Sequence, residues 1–165
     1  MKSDMIDESD EELLKNGFNL KSNFAYNIEV GKLSIKTKER AKALDKDIGE
    51  YVIINSPKVH LLGEECKNYT KNVLIKNLKN FIKPNGKIFV VGLGNPALTA
   101  DSLGDKVIKR IYATGALSGL KKGLTEVCTL VPDVYSKTGI KTQELIEAVV
   151  NKIKPSLVVV IDSLG

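Results

Sequence analysis

Tryptophan is absent from this chain of 165 residues, aromatic residues make up only 5% of it, and it has a single histidine, His60. A core without large rings has to be built from Val, Ile, Leu and Ala, and 42% hydrophobic content is enough to build one. One histidine excludes most metal hydrolases, which gather several His, Asp, Glu or Cys ligands. No HExxH-type partner accompanies His60, so it reads as a structural residue. A Ser–His–Asp triad is disfavoured for the same reason. No G-x-S-x-G elbow is present, and Ala116-Leu117-Ser118-Gly119 is not one. The two cysteines, Cys66 and Cys128, form no CxxC pair. They read as ordinary thiols in a reducing cytosol rather than as a disulfide or metal framework. No apolar run approaches the roughly 18 residues that span a bilayer. The acidic start lacks the apolar segment of a signal peptide, so no membrane partner is expected.

Charge is unevenly spread. Residues 1–12 carry six acids against Lys2, whereas the remainder carries 24 basic and 14 acidic side chains. A body of net +10 attracts acidic partners. Its lysines are nevertheless scattered at helical spacing, without Arg or aromatic clusters, as on a solvated face. Direct nucleic-acid binding is therefore not expected.

The coarse pattern begins with a polar leader, with helical character near Asp10–Lys15. Alternation over Phe24–Val30 favours a strand, and Tyr51–Ile54 is a second, stopped by Asn55-Ser56-Pro57. From residue 64 helices and strands alternate. The periodicity predicts a helix over 64–83 with Val73, Leu74, Leu78, Phe81 and Ile82 inward, and a strand over 87–93. A helix over 102–112 follows with Leu103, Val107, Ile108 and Ile111 inward, then a strand over 125–131. A last helix, capped by Thr142, runs to about Lys154, and Leu157–Ile161 forms a final strand. Strands apolar on both faces, alternating with amphipathic helices, imply an α/β protein with a mainly parallel, doubly wound sheet covered on both sides. Strands in such folds lead into covering helices. A chain stopping at Gly165, just past a buried strand, is accordingly expected to be part of a longer protein.

Two strand ends carry candidate chemistry. One is Val90-Val91-Gly92-Leu93-Gly94-Asn95, followed by Asp101 and Asp105. The other is Val159-Val160-Ile161-Asp162. Carboxyl ends of parallel strands share one edge, where ligand sites gather, so Asp101 and Asp162 are expected to converge there. Two neighbouring carboxylates cannot both ionise cheaply. One of them then acts as a base on water while the other, protonated, serves as an acid, which is the requirement of metal-free peptide hydrolysis. The structural alternatives are an N-cap for Asp101 and a turn residue for Asp162. Gly92-x-Gly94 also invites a dinucleotide reading. Pro96 before Ala97 denies the diphosphate a helix N-terminus at the required distance.

These segments resemble the germination protease family. Val90–Asn95 with Thr99–Gly104 is similar to its VVGLGN…TPDALGP pattern, and Thr138–Ile146 to its TGIET-x-EII segment. Lys154–Leu164 is similar to KPD-x-VIAIDAL, and Tyr51–Ile54 with Pro57 to GxYVTIEAP. The resemblance implies an atypical aspartic endopeptidase of the spore interior that degrades small acid-soluble spore proteins at germination. It further implies a zymogen, a homotetramer, no cofactor, and a fold similar to the hydrogenase-maturation peptidases. Those relatives read a metal through acids and His, and this chain lacks a matching His. The essential aspartates would be Asp101 and Asp162, with Gly92, Gly94 and Asn95 shaping the loop. Residues 1–23 would be a propeptide cleaved between Asn23 and Phe24, and 24–165 the peptidase domain. Ala100 and Asp105 stand where the family has Pro, and Asp105 becomes a rival to Asp101. Other readings are a related spore or hydrogenase-maturation type peptidase, or a non-catalytic binding module using the Gly92–Asn95 loop.

Overall fold

A computed structural model describes residues 19–23, 28–56, 63–82, 86–117 and 123–163. The expected helix near Asp10–Lys15, Phe24 and His60 lie outside these residues. The chain divides into two compact units, Met1–Phe81 and Ile82–Gly165.

In the first unit, β1 (Asn19–Asn23), β2 (Ile28–Ile35) and β3 (Gly49–Asn55) form an antiparallel sheet in that order. The strand expected over Phe24–Val30 is seen in its described part, where β2 runs from Ile28. Along β2 buried Gly31, Leu33 and Ile35 alternate with more exposed Lys32 and Ser34, the period-2 signature of a sheet with one covered face. Leu33 and Ile35 form the core with Ala41, Leu44, Tyr51 and Ile53. Helix α1 (Lys38–Ala43) starts where the Thr37 hydroxyl accepts from the Arg40 N–H at 3.3 Å.

Helix α2 (Glu64–Phe81) forms at its expected place, but its buried line is not the apolar stripe. Leu74, Leu78 and Phe81 are exposed, while Cys66 and Asn77 are buried, with Thr70 and Val73 half-buried between them. That rotation is tolerated because the polar members satisfy themselves on their own helix. The Thr70 hydroxyl donates to the Cys66 carbonyl at 2.9 Å, and the Asn77 amide to that of Val73 at 2.9 Å.

The second unit holds a parallel sheet in the order β5–β4–β6, formed by β4 (Ile88–Gly92), β5 (Val127–Leu130) and β6 (Leu157–Ile161). With its helices it makes the unit α/β, as the alternation predicts. Central β4 is buried along its whole length, which explains its unbroken apolar run. Edge strand β6 departs from the expectation of burial on both faces, because Val158 and Val160 are exposed. Helix α3 (Leu103–Ile108) is shorter than the predicted 102–112 span. Its last turn tightens to i→i+3 bonds from Arg110 and Ile111, and Leu103 is exposed rather than inward. Short α4 (Tyr135–Thr138) ends on left-handed Gly139. Helix α5 (Thr142–Ile153) begins one residue beyond its N-cap, which is Lys141 rather than Thr142. Both cysteines are free thiols.

Candidate active site at the β4 and β6 carboxyl ends

The chain leaves β4 for β5 on one side and later returns to β6 on the other, so its course reverses between β4 and β6. That gap is the usual ligand crevice of an open parallel sheet. The backbone closes up there. A Cβ on Gly92 would lie 2.4 Å from the Gly104 carbonyl oxygen, and one on Gly104 would lie 2.3 Å from that of Leu93. Only glycine at both positions lets the start of α3 lie directly on the end of β4.

Beyond Gly94, in the left-handed region at φ +105°, a turn runs from Asn95 to Leu98, whose N–H donates to the Asn95 carbonyl at 3.0 Å. Pro96 takes the second position of this turn, where its fixed φ fits. The Asn95 side-chain oxygen accepts from the Ala97 N–H at 3.0 Å and from Lys137 Nζ at 3.2 Å. Its own N–H donates to Asp101 Oδ2 at 2.8 Å.

Asp101 is thus not an N-cap. Ser102 occupies that place, without capping the helix through its side chain, whose hydroxyl donates to the Thr99 carbonyl at 2.9 Å, and the Asp101 carboxylate faces the Gly94–Asn95 loop instead. Its other oxygen, Oδ1, accepts from the Ser163 hydroxyl at 3.1 Å. Ser163 lies in the loop that follows β6, and its N–H donates to Asp162 Oδ1 at 2.9 Å. Two strand-end loops, 62 positions apart, therefore meet on one serine that bonds both aspartates. Asp101 is half-buried and Asp162 exposed. Asp105 is buried, and its Oδ2 lies 2.7 Å from Lys109 Nζ, an ion pair within α3.

The sequence reading passed over Ser163, Lys137 and Asp133. Ser163 adjoins a singled-out acid, which was the available signal. Lys137 meets Asn95 only through the fold, and Asp133 pairs with Lys137 at 3.2 Å. Asp133 sits at φ +60°, and its carboxyl is held below the usual range chiefly by the Val134 N–H at 2.8 Å, which outweighs the opposing effect of burial, with Lys137 adding a further lowering. Among the described residues no three His, Cys, Asp or Glu side chains are gathered so as to hold a metal ion, and no helix is long and apolar enough to cross a membrane.

A family model described as germination protease matches residues 1–165. Curated relatives bearing that name include proteins of Clostridium tetani, 35% identical over 156 residues, and of Clostridium perfringens strain 13, 36% over 145 residues. Another, from Priestia megaterium, is 33% identical over 139 residues. These matches cover 90%, 84% and 78% of this chain and 48%, 45% and 38% of the respective relatives, so the chain spans about half their length or less. With the match running through both strand-end loops, the chain belongs to the germination protease family.

Proposed function

We propose that this chain supplies the catalytic half of an aspartic-type endopeptidase that degrades small acid-soluble spore proteins at germination, in the cytoplasm of the spore. Asp101 and Asp162 are its acid–base pair. The observation that carries the reading is the Asp101 carboxylate at the sheet's switch point, held by the Asn95 N–H and joined to the Asp162 loop by the Ser163 hydroxyl. One carboxylate takes a proton from water as the hydroxide oxygen bonds to the scissile carbonyl carbon. The other, protonated, hands its proton to the departing amine as the C–N bond breaks. The Asn95 N–H and the Ser163 hydroxyl fix the orientation of the Asp101 carboxylate, and Asp101 is assigned the role of base. Asp105 is the weaker rival because Lys109 already occupies its carboxylate.

The mechanism needs no metal or other cofactor. The parallel sheet is the core of a doubly wound fold similar to that of the hydrogenase-maturation peptidases, and the working form is a homo-oligomer, a tetramer as the family resemblance implies. Residues 1–23 form the propeptide of a zymogen and 24–165 the peptidase domain. Residues 19–23 pair with β2, so cleavage between Asn23 and Phe24 would strip an edge strand from the first sheet.

The test follows the cleavage of a purified small acid-soluble spore protein by the chain, alone and joined to the second half of the Clostridium tetani relative. Asp101→Asn and Asp162→Asn each abolish cleavage with an unchanged fold by circular dichroism, whereas Asp105→Asn retains it. Full activity in either of the first two variants, or its loss in the third alone, overturns the assignment. Deleting residues 1–23 raises activity if they inhibit, and an unchanged rate refutes the propeptide role.

A further inference from the structure

The exposed valines of β6 share one face of the sheet. Registered residues on parallel strands point to the same side, and Phe89 and Val91 of β4 register with Val158 and Val160 of β6. The first pair is 1% and 0% exposed, the second 37% and 52%. One sheet face is therefore closed over β4 and open over β6.

Helix α3 lies on the other face. A Cβ on Gly92, which registers with Ile161, would meet Gly104 and the Ile108 side chain. Handedness then places the remaining layers. Crossovers between parallel strands are right-handed. With α3 in front of the sheet on the way from β4 to β5, the return from β5 to β6 runs in the opposite direction, and its helix, α5, belongs behind. A further strand added outside β6 continues in that same direction, so the helix leading to it also belongs behind, on the Val158–Val160 face. The outer edge of β6 carries no partner strand among the described residues. An unpaired strand with exposed valines is an adhesive surface that folded proteins cover.

We propose that the Val158–Val160 face and the outer edge of β6 dock a polypeptide corresponding to the half of germination protease that this chain does not match. That polypeptide lays an amphipathic helix over the two valines and adds a strand parallel to β6. The relatives are about twice as long as the matched region, which supplies a segment of the required size. The inference goes beyond the catalytic reading and stands even if Asp101 and Asp162 prove not to be catalytic.

The probe is the second half of the Clostridium tetani relative, made as a separate polypeptide and mixed with the 165-residue chain. Hydrogen exchange at the outward-facing amides of Leu157–Ile161 is expected to slow at least about tenfold when the probe is added, as a free edge becomes a paired one. The double variant Val158→Lys, Val160→Lys is expected to lose that slowing while its inward amides, bonded to β4, stay protected. Slowing that survives in the double variant refutes the docking face. Slowing that appears without the probe, as the chain is concentrated and elutes as a dimer, assigns the face to a second copy and likewise overturns the proposal. A probe unable to fold alone is joined after Gly165 in a single chain, where outward amides that remain fast count equally against it.

Discussion

Replacing Gly94 by Ala tests whether the loop and Asp101 are as tightly engaged as the geometry requires. A Cβ at Gly94 would lie 2.2 Å from the Asp101 carbonyl oxygen and 2.6 Å from Oδ1, in a backbone at φ +105°. The left-handed conformation alone costs a side-chain-bearing residue about 1–2 kcal/mol, and forcing backbone atoms apart adds about 1–3 kcal/mol. Gly139 separates the two contributions. Its φ is +68°, but nothing lies within 4 Å of an added Cβ, so Gly139→Ala pays the conformational cost only. Urea unfolding is read from the amide signals of Val90 and Val160, which report the second unit. With a slope of about 2 kcal/mol per molar urea, the midpoint falls by about 1–2.5 M for Gly94→Ala and by about 0.5–1 M for Gly139→Ala. The Asn95 amide, which donates to Asp101 Oδ2, exchanges faster in the first variant and is unchanged in the second. Equal shifts of the two midpoints, with Asn95 still protected, would show that Gly94 and Asp101 are not in contact and would refute the described loop.

Two further outcomes are expected. Ser163→Ala removes the hydroxyl that joins the loop after β6 to Asp101 and destabilises the second unit by about 1 kcal/mol, the usual size for a partly exposed hydrogen bond. Ser163→Thr restores it, and an unchanged urea midpoint in the alanine variant would deny the link. Asp133 has its carboxyl depressed by the Val134 N–H and Lys137. Its contribution to stability is therefore present above the ordinary aspartate range near pH 4 and is lost as pH falls through the depressed value. Asp133→Asn, which tolerates the left-handed backbone, removes that contribution, so the variant is less stable than the parent near neutrality, its acid limb is flatter and the two profiles converge in acid. A retained slope would place the titration elsewhere.

Local pattern was enough to locate most elements of the second unit. Strands β4 and β6 and helix α5 lie within a residue or two of where apolar runs and 3.6-residue spacing put them, because burial of a strand or of a helix stripe is written in neighbouring residues. The candidate aspartates were also legible, since Asp101 and Asp162 each follow an apolar strand directly and a parallel sheet brings such ends to one edge. What tertiary structure decided depends on partners distant in the chain. Sequence spacing says nothing of the antiparallel pairing of β1–β3 as a separate sheet, which is selected by cross-strand contacts. The rotation of α2 onto Cys66 and Asn77 runs against its hydrophobic stripe, and it is permitted only because buried polar groups find carbonyls within the helix. The serine that ties the two acids together, and the lysine that holds Asn95, are ordinary residues in the sequence. They become part of a site only because the order β5–β4–β6 sets two loops, 62 positions apart, side by side. The same order leaves Val158 and Val160 uncovered, although in sequence they are indistinguishable from the buried valines of β4: strand position in the sheet, not residue type, determines how many faces a strand has to fill.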